Sequence, residues 1–369
     1  MPISTVLPTP NLGSTANANV LPTSILSSDV LPISTVDPIP RDIKEDNSWR
    51  LLSKPGLPAS ILSSDVLPIS TVDPISRDIK EDKSWRLLPK PGMTLRNRLN
   101  NCWFHASLHL LTGIPPLQPL CRNMIPGTFR FSFTDAFNAI LNSSSRTPVN
   151  DFFNLVKDFQ GPNNRYGQVA VTDFLEYLSA TIPDIFQHIR NNVSTYLQCQ
   201  RCKWISVTTA NELLIKLYIP GHHRPISLNE LITFNSETIF SDASGVHCAK
   251  CGSKTAHTSR REHLSDLLLF EIIRVSRPKT TWIKNCIPVT FPVNGIVLPG
   301  SQRKYNLIGT CNHRGSIYSG HWFTCLRMAD DRWYELNDLH RKHSIISRPG
   351  HNDKTSVVIV LLADDKMIK

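Results

Sequence analysis

Residues 93–369 are predicted to adopt an α+β fold. Helix-compatible apolar segments come first, strand-like segments come last, and two Cys-x-x-C pairs stand between them. Trp103–Leu111 is dense in apolar helix formers and runs out near Gly113 and the Pro115-Pro116 pair. Val169–Leu178 reads as a second helix. After Ser265 the texture becomes strand-like in Leu267–Val275, Tyr305–Thr310, Trp322–Leu326, Trp333–Leu336 and Ser356–Leu362, separated by Gly, Pro, Asn and Asp.

Residues 1–92 differ in texture. Leu21–Gly56 and Leu57–Gly92 match at 32 of 36 positions, differing at Thr23/Ala59, Pro40/Ser76, Asn47/Lys83 and Ser53/Pro89. Two Pro- and Ser-rich units without a clear period are too few to close a solenoid core, so a disordered segment is expected. Only the second copy adjoins the folded part, so Trp85-Arg86-Leu87-Leu88 is the stretch expected to reach it. The 369 residues carry a net charge of +10. Residues 1–92 hold nine Lys/Arg against ten Asp/Glu, which leaves 31 against 20, a net +11, on residues 93–369. That excess favours acidic partners and says nothing about fold.

The start has neither a basic nor an apolar leader region, so no secretory signal is expected. The longest apolar stretches, Leu267–Ile273 and Val357–Ala363, fall far short of a membrane span. Nine cysteines in a chain expected to be intracellular (cytoplasm or nucleus) point to metal binding or catalysis before disulfides.

Three constellations carry chemistry. Cys102 stands where the polar turn Asn97-Arg98-Leu99-Asn100-Asn101 enters an apolar helix. The positive end of that helix favours a thiolate, so a lowered thiol pKa is expected. Asn97 can return its amide toward Cys102 and, with the Cys102 backbone N–H, stabilise an oxyanion. Taken alone, a buried free cysteine behind an Asn-rich cap is an equal reading. Downstream, Ser319-Gly320-His321-Trp322 precedes Trp333 to Asp338 by one hairpin. Asn337 or Asp338 can accept from the His321 imidazole and fix its tautomer, the third role in a Cys-His-Asn/Asp triad. Cys199-x-x-Cys202 and Cys248-x-x-Cys251 supply four thiolates for one closed, structural zinc site. The 45 residues between the pairs are expected to form a subdomain. Cys121, Cys286, Cys311 and Cys325 match no catalytic motif.

In order and spacing, these signals resemble the ubiquitin-specific protease family of cysteine deubiquitinases. Asn97 to Leu110 echoes its cysteine box. Tyr305–Gly309, His313–Gly315, Ser319–Trp322, Arg327 and Trp333–Asp338 follow its histidine box. The resemblance covers roughly residues 93–363. It implies a papain-like, hand-shaped fold with a helical thumb (93–190), zinc-ribbon fingers (191–265) and a β-rich palm (266–369). It also implies Cys102 as nucleophile, His321 as general base, Asn337 as third member, Asn97 as oxyanion donor, and Asp338 as an auxiliary or a substitute for Asn337. The chain departs from the family pattern at several positions. Leu99 stands for glycine, Asn101 for threonine, His105 and His109 for Asn and Gln, and Trp322 for tyrosine. In Gln168–Leu175 only Gln168, Asp173, Phe174 and Leu175 fit.

The expected function is thiol-dependent removal of ubiquitin from protein conjugates by a monomeric enzyme. The alternatives are a SUMO isopeptidase, because a compact domain with Cys-Trp at the nucleophile resembles the SUMO-directed ubiquitin-specific-peptidase-like branch and the net +11 suits the more acidic SUMO, or an inactive ubiquitin- or SUMO-binding pseudoprotease. A nucleic-acid-binding role is not expected, because the Lys and Arg residues are dispersed and no recognition motif emerges.

Overall fold

Helices precede strands in the computed structural model, which describes residues 85–97, 100–119, 127–159, 169–220, 224–240, 247–253, 257–263, 265–276, 282–299, 301–350 and 353–366. The tandem repeat lies outside the described residues apart from its last eight, Trp85–Gly92, and so do Leu99, Cys121 and Gln168. The helical block comprises α1 (Cys102–Thr112), α2 (Phe129–Asn142), α3 (Thr147–Val156), α4 (Val171–Thr181) and α5 (Pro183–Phe186). Every residue of α1 is buried. A helix buried on all sides belongs at the centre of a domain, and α1 runs between α2, α4 and the large sheet. Trp103 meets the edge of Phe174 at 4.9 Å between ring centroids. No helix among the described residues is long and apolar enough to cross a membrane.

Strands of three residues or more are β1 (Asn191–Cys199), β2 (Ile205–Glu212), β3 (Ile215–Tyr218), β4 (Glu237–Phe240), β5 (His257–His263), β6 (Leu267–Ile273), β7 (Lys304–Gly315), β8 (Gly320–Arg327), β9 (Trp333–Leu336), β10 (Ser344–Ile346) and β11 (Ser356–Ala363). β2, β1, β5 and β4 form an antiparallel sheet in that order. The large sheet runs β10-β9-β8-β7-β11-β6-β3, with Ile296–Val297 also paired on β7. Its neighbours are antiparallel except β3, which lies parallel to β6. Helical block, knuckled sheet and large sheet correspond to the thumb, fingers and palm implied by the resemblance.

The chain between the two Cys-x-x-C pairs is not a subdomain of its own. β3 extends the large sheet, and α6 (Leu228–Ser236) covers that sheet's far face. The reason lies in the pattern of burial. Leu267, Leu269, Val358, Val360 and Leu362 face the core shared with the thumb helices. Their alternates Leu268, Phe270, Ile272, Ile359 and Leu361 face a second core with Leu228, Leu231 and Ile232 of α6. A sheet covered on both faces needs strands apolar at nearly every position.

The packed body includes residues ahead of Met93. Leu87 is buried in the thumb core, Trp85 and Leu88 pack against it, and the Leu88 carbonyl accepts from Ala329 N at 2.8 Å. The Gly92 carbonyl meets His343 Nε2 at 3.0 Å. Removing residues 1–84 is therefore expected to leave the melting temperature nearly unchanged, whereas removal through Gly92 lowers it by about 5 °C or more. Equal melting temperatures for the two truncations would show that these contacts contribute nothing.

Candidate active site and candidate metal centre

Two segments bring the sequence-nominated residues together. The first is the turn into α1. Asn100 occupies the left-handed region at φ 57°, a conformation asparagine tolerates. This turn lets the Asn97 side-chain oxygen accept from Asn101 N at 3.3 Å. The Asn97 backbone N–H donates to the Asp338 carbonyl at 3.0 Å, so Asn97 is fixed at both ends. Its Nδ2 makes no hydrogen bond to a described residue.

The second segment is the β7–β8 hairpin, which closes at Gly315 opposite Gly320. In its loop, Ser316 N donates to Ser319 O at 2.8 Å, and Ser316 Oγ accepts from Tyr318 N and Ser319 N at 3.1 Å each. Glycine is required at 320, because a Cβ there would overlap the His313 ring and the Arg314 carbonyl. Lys284 Nζ clamps this strand, donating to His313 Nδ1 (2.8 Å), His313 O (2.9 Å) and Gly315 O (2.8 Å). Burial, then the charges of Lys284 and His321, push the His313 pKa down to about 4, so its ring is a neutral acceptor. Thr324 Oγ1 donates to the Ala106 carbonyl at 2.8 Å, tying β8 to the middle of α1.

His321 thus faces the start of α1. Its Nε2 lies 2.9 Å from Asn337 Oδ1 and 3.5 Å from Asp338 Oδ1. An amide oxygen only accepts, so Nε2–H is the donor in the contact with Asn337. The other Asp338 oxygen is engaged by His105 Nδ1 at 2.7 Å, and His105 Nε2 is met by Asn101 Nδ2 at 3.2 Å. His105, one of the departures from the family pattern, therefore occupies Asp338 and leaves Asn337 with the shorter contact to His321.

Cys102 Sγ sits among backbone N–H groups of Trp322, Trp103 and its own residue, with the Asp338 charge also acting on it. Its thiol departs from the expectation of a lowered pKa. Burial pushes it up, the Asp338 charge adds to this, and the N–H groups pull the other way without cancelling it. The helix-end argument omitted the cost of removing a thiolate from water. Alkylation of Cys102 by iodoacetamide is expected to keep accelerating past the ordinary thiol pKa of about 8.5, with no plateau near neutral pH. Mass mapping of the adduct across pH checks this, and a plateau by pH 7 would show a preformed thiolate. Buried Cys311, pushed up to about 12, stays unreactive in that range.

The four remaining nominated cysteines converge at one end of the finger sheet. Their sulfurs lie within 4.8 Å of one another, with Cys199–Cys251 at 3.8 Å and Cys202–Cys248 at 3.6 Å. Both pairs fold alike. Lys203 N and Gly252 N donate back to the Cys199 and Cys248 carbonyls at 2.9 and 2.8 Å, and both residues are left-handed, at φ 60° and 65°. Zinc–sulfur bonds of about 2.3 Å place tetrahedral sulfurs about 3.8 Å apart, so the set fits a four-thiolate metal site. The Ser253 N–H pulls the Cys251 thiol down, but burial and the sulfurs of Cys202, Cys248 and Cys199 push it up to about 11. A bound cation would remove that mutual repulsion.

The family model described as ubiquitin carboxyl-terminal hydrolase matches residues 93–356, most of the chain. The chain belongs to the ubiquitin carboxyl-terminal hydrolase family. The bovine (Bos taurus) and human (Homo sapiens) proteins named ubiquitin carboxyl-terminal hydrolase 21 are each 22% identical to it over 324 residues, covering 66% of this chain and 57% of theirs. It thus spans little more than half the length of these relatives. Among solved structures, the SAGA DUB module of Ubp8, Sgf11, Sus1 and Sgf73 bound to monoubiquitin matches with a TM-score of 0.62 at 17% identity, covering 74% of this chain and 69% of that one. The same module bound to ubiquitin aldehyde gives 0.61 at 16% identity, with 75% and 70% covered. At that identity the likeness shows the hydrolase fold.

Sequence reading missed two residues of the site. His105 was noted as a departure without a role. Glu335 was overlooked although it lies two residues before Asn337, the spacing that puts side chains on one face of an extended chain.

Proposed function

We propose that this hydrolase-family protein is a thiol-dependent isopeptidase that removes ubiquitin from protein conjugates. The observation that carries the reading is the 2.9 Å contact of His321 Nε2 with Asn337 Oδ1 beside the buried thiol at the start of α1. Burial holds the Cys102 thiol pKa up, and His321 Nδ1 takes its proton as Sγ attacks the carbonyl carbon of the scissile amide. Asn97 Nδ2 and the Cys102 N–H donate to the oxygen that becomes negative. The proton then passes from His321 to the leaving amine, and water cleaves the thioester by the same relay. Asn337 holds the ring and its tautomer throughout. Cys199, Cys202, Cys248 and Cys251 hold a structural zinc that keeps the finger sheet ordered.

Ubiquitin is favoured as the modifier by the relatives named ubiquitin carboxyl-terminal hydrolase and by two matching structures whose modules are bound to monoubiquitin and to ubiquitin aldehyde. The experiment is direct competition. Ubiquitin and SUMO carrying C-terminal electrophiles are offered together, and the adduct is mapped by mass spectrometry. Ubiquitin attached at Cys102 is the expected result. SUMO attached there would move the specificity to the other modifier, and no adduct from either would leave a binding protein without turnover.

A further inference from the structure

Asn337 is held by more than the histidine it touches. Its Nδ2 donates to Glu335 Oε1 at 2.8 Å, and its Oδ1 accepts from Leu339 N at 3.0 Å as well as meeting His321 Nε2. Glu335 in turn is gripped by Arg314, whose Nη2 lies 3.2 Å from Oε2 and whose guanidinium carbon sits 4.1 Å above the Phe323 ring. The Glu335 side chain is only 12% exposed, so its carboxylate is shielded as well as paired. β9, which carries Glu335, is fixed on both sides, with Cys325 opposite on β8 and Ser344 opposite on β10.

We propose that Glu335 is a positioning residue that fixes the Asn337 amide with its oxygen toward His321, and that its presence makes asparagine, and not aspartate, the workable residue at 337. This rests on the isopeptidase reading above. Turning the amide over would set Oδ1 against the Glu335 carboxylate and the NH₂ group against both the Leu339 N–H and the His321 Nε2–H. Three unfavourable contacts replace three favourable ones. If Glu335 is lost, the inverted amide is opposed by fewer contacts. Its NH₂ then favours the imidazole tautomer with the proton on Nδ1, which has no lone pair left for the Cys102 proton. A wrong tautomer costs about 10⁴ in kcat in a well-studied serine triad. Aspartate at 337 would bring a second carboxylate to about 2.8 Å from Glu335 Oε1 with no hydrogen between them. Asp338 already lies 3.5 Å from the ring, so three acidic groups would crowd one imidazole.

The test uses the full chain and a ubiquitin C-terminal fluorogenic amide. Glu335→Ala is expected to lower kcat about 30-fold with KM within about two-fold, because it acts on His321 and not on the modifier. Glu335→Gln, whose amide oxygen still accepts from Nδ2, is expected to lose less than about five-fold. Asn337→Asp is expected to lose about 30-fold or more, and Glu335→Gln combined with Asn337→Asp to recover most of that, because the new amide donates to the new carboxylate. Melting temperatures identify any variant that does not fold. A folded double variant no better than Asn337→Asp, or a fully active Asn337→Asp, would overturn the proposal. Nitrogen NMR of the His321 ring gives a readout without turnover. The Nε2–H tautomer in the wild type and its loss in Glu335→Ala are expected, and an unchanged tautomer would overturn the proposal. Wild-type protein that ignores ubiquitin while showing this tautomer switch would sink the isopeptidase reading and leave the Glu335 role standing.

Discussion

Cys102→Ala is expected to lower turnover of a ubiquitin conjugate by about 10⁴-fold or more, with no adduct to a ubiquitin electrophile and ubiquitin binding retained. The loss corresponds to about 5.5 kcal/mol of barrier, more than any single positioning contact supplies. Binding survives because only one sulfur is removed from a site otherwise built of backbone groups and the β7–β8 hairpin. His321→Ala is expected to fall about 10³-fold or more. The Cys102 thiol is pushed up by burial, so the reaction needs a base to remove its proton, and the proposed base is His321, next to Trp322, whose backbone N–H reaches the Cys102 sulfur. Asn337→Ala falls between wild type and His321→Ala, at about 10²-fold. Asp338 is near enough to hold the ring, but at 3.5 Å it is the poorer partner and its other oxygen is engaged by His105. Hydrolysis of a ubiquitin C-terminal amide by the three variants checks the order. Turnover retained in Cys102→Ala, or an adduct mapping to Cys286, would end the mechanism.

The large sheet and α1 were legible because burial on both sides leaves segments apolar at most positions, with interruptions such as Glu271, His105 and His109. Leu267–Ile273 serves two cores at once, and α1 has no face toward water. The thumb helices α2 and α3 were legible in principle and were not read. Phe133, Ala136, Phe137 and Ile140 sit at helical spacing and are all buried, behind a Thr128 cap whose side chain accepts from Phe131 N at 3.0 Å. Intervening polar residues and the Ser143–Ser145 run hid that period. The fate of β3 was not legible. Four residues alternating buried and exposed state a strand, but nothing local says that its partner is β6, more than fifty residues later.

At the site, residue types and order nominated the residues that the structure brings together, while the division of labour proposed for them depended on distances. The sequence left Asn337 and Asp338 open, because adjacent residues at a strand end are equally eligible. What separates them is His105, a helical residue 233 positions away that occupies Asp338. The thiol was misjudged for a related reason. A helix start is visible in sequence, whereas the burial that outweighs it is a property of the assembled thumb and palm.

Removing metal is expected to have the second large effect, and it should be confined to the fingers. A four-stranded sheet ordinarily holds its shape by burying one face, yet β2 is exposed or half-buried along its whole length. On β1 only Asn191, Val193 and Cys199 are buried. With so little apolar area enclosed by β1 and β2, the order of these two strands rests on the hydrogen-bond ladder and on the sulfurs that join the Cys199–Cys202 turn to the Cys248–Cys251 turn. Structural zinc in finger peptides contributes about 10–16 kcal/mol of binding free energy at neutral pH, far more than the few buried side chains of β1 and β2 supply. One zinc per chain is therefore expected by elemental analysis. Cys199→Ser or Cys251→Ser should lose it, accelerate amide exchange in β1, β2 and β5, and leave α1 and the β7–β8 hairpin protected. Cys102 should still alkylate in these variants, because its surroundings lie in the thumb and palm cores. Ubiquitin turnover should nevertheless drop, since the family resemblance implies that the modifier's globular part rests against the fingers. Purified protein free of zinc, or finger exchange unchanged in both variants, would show that the sheet stands without metal.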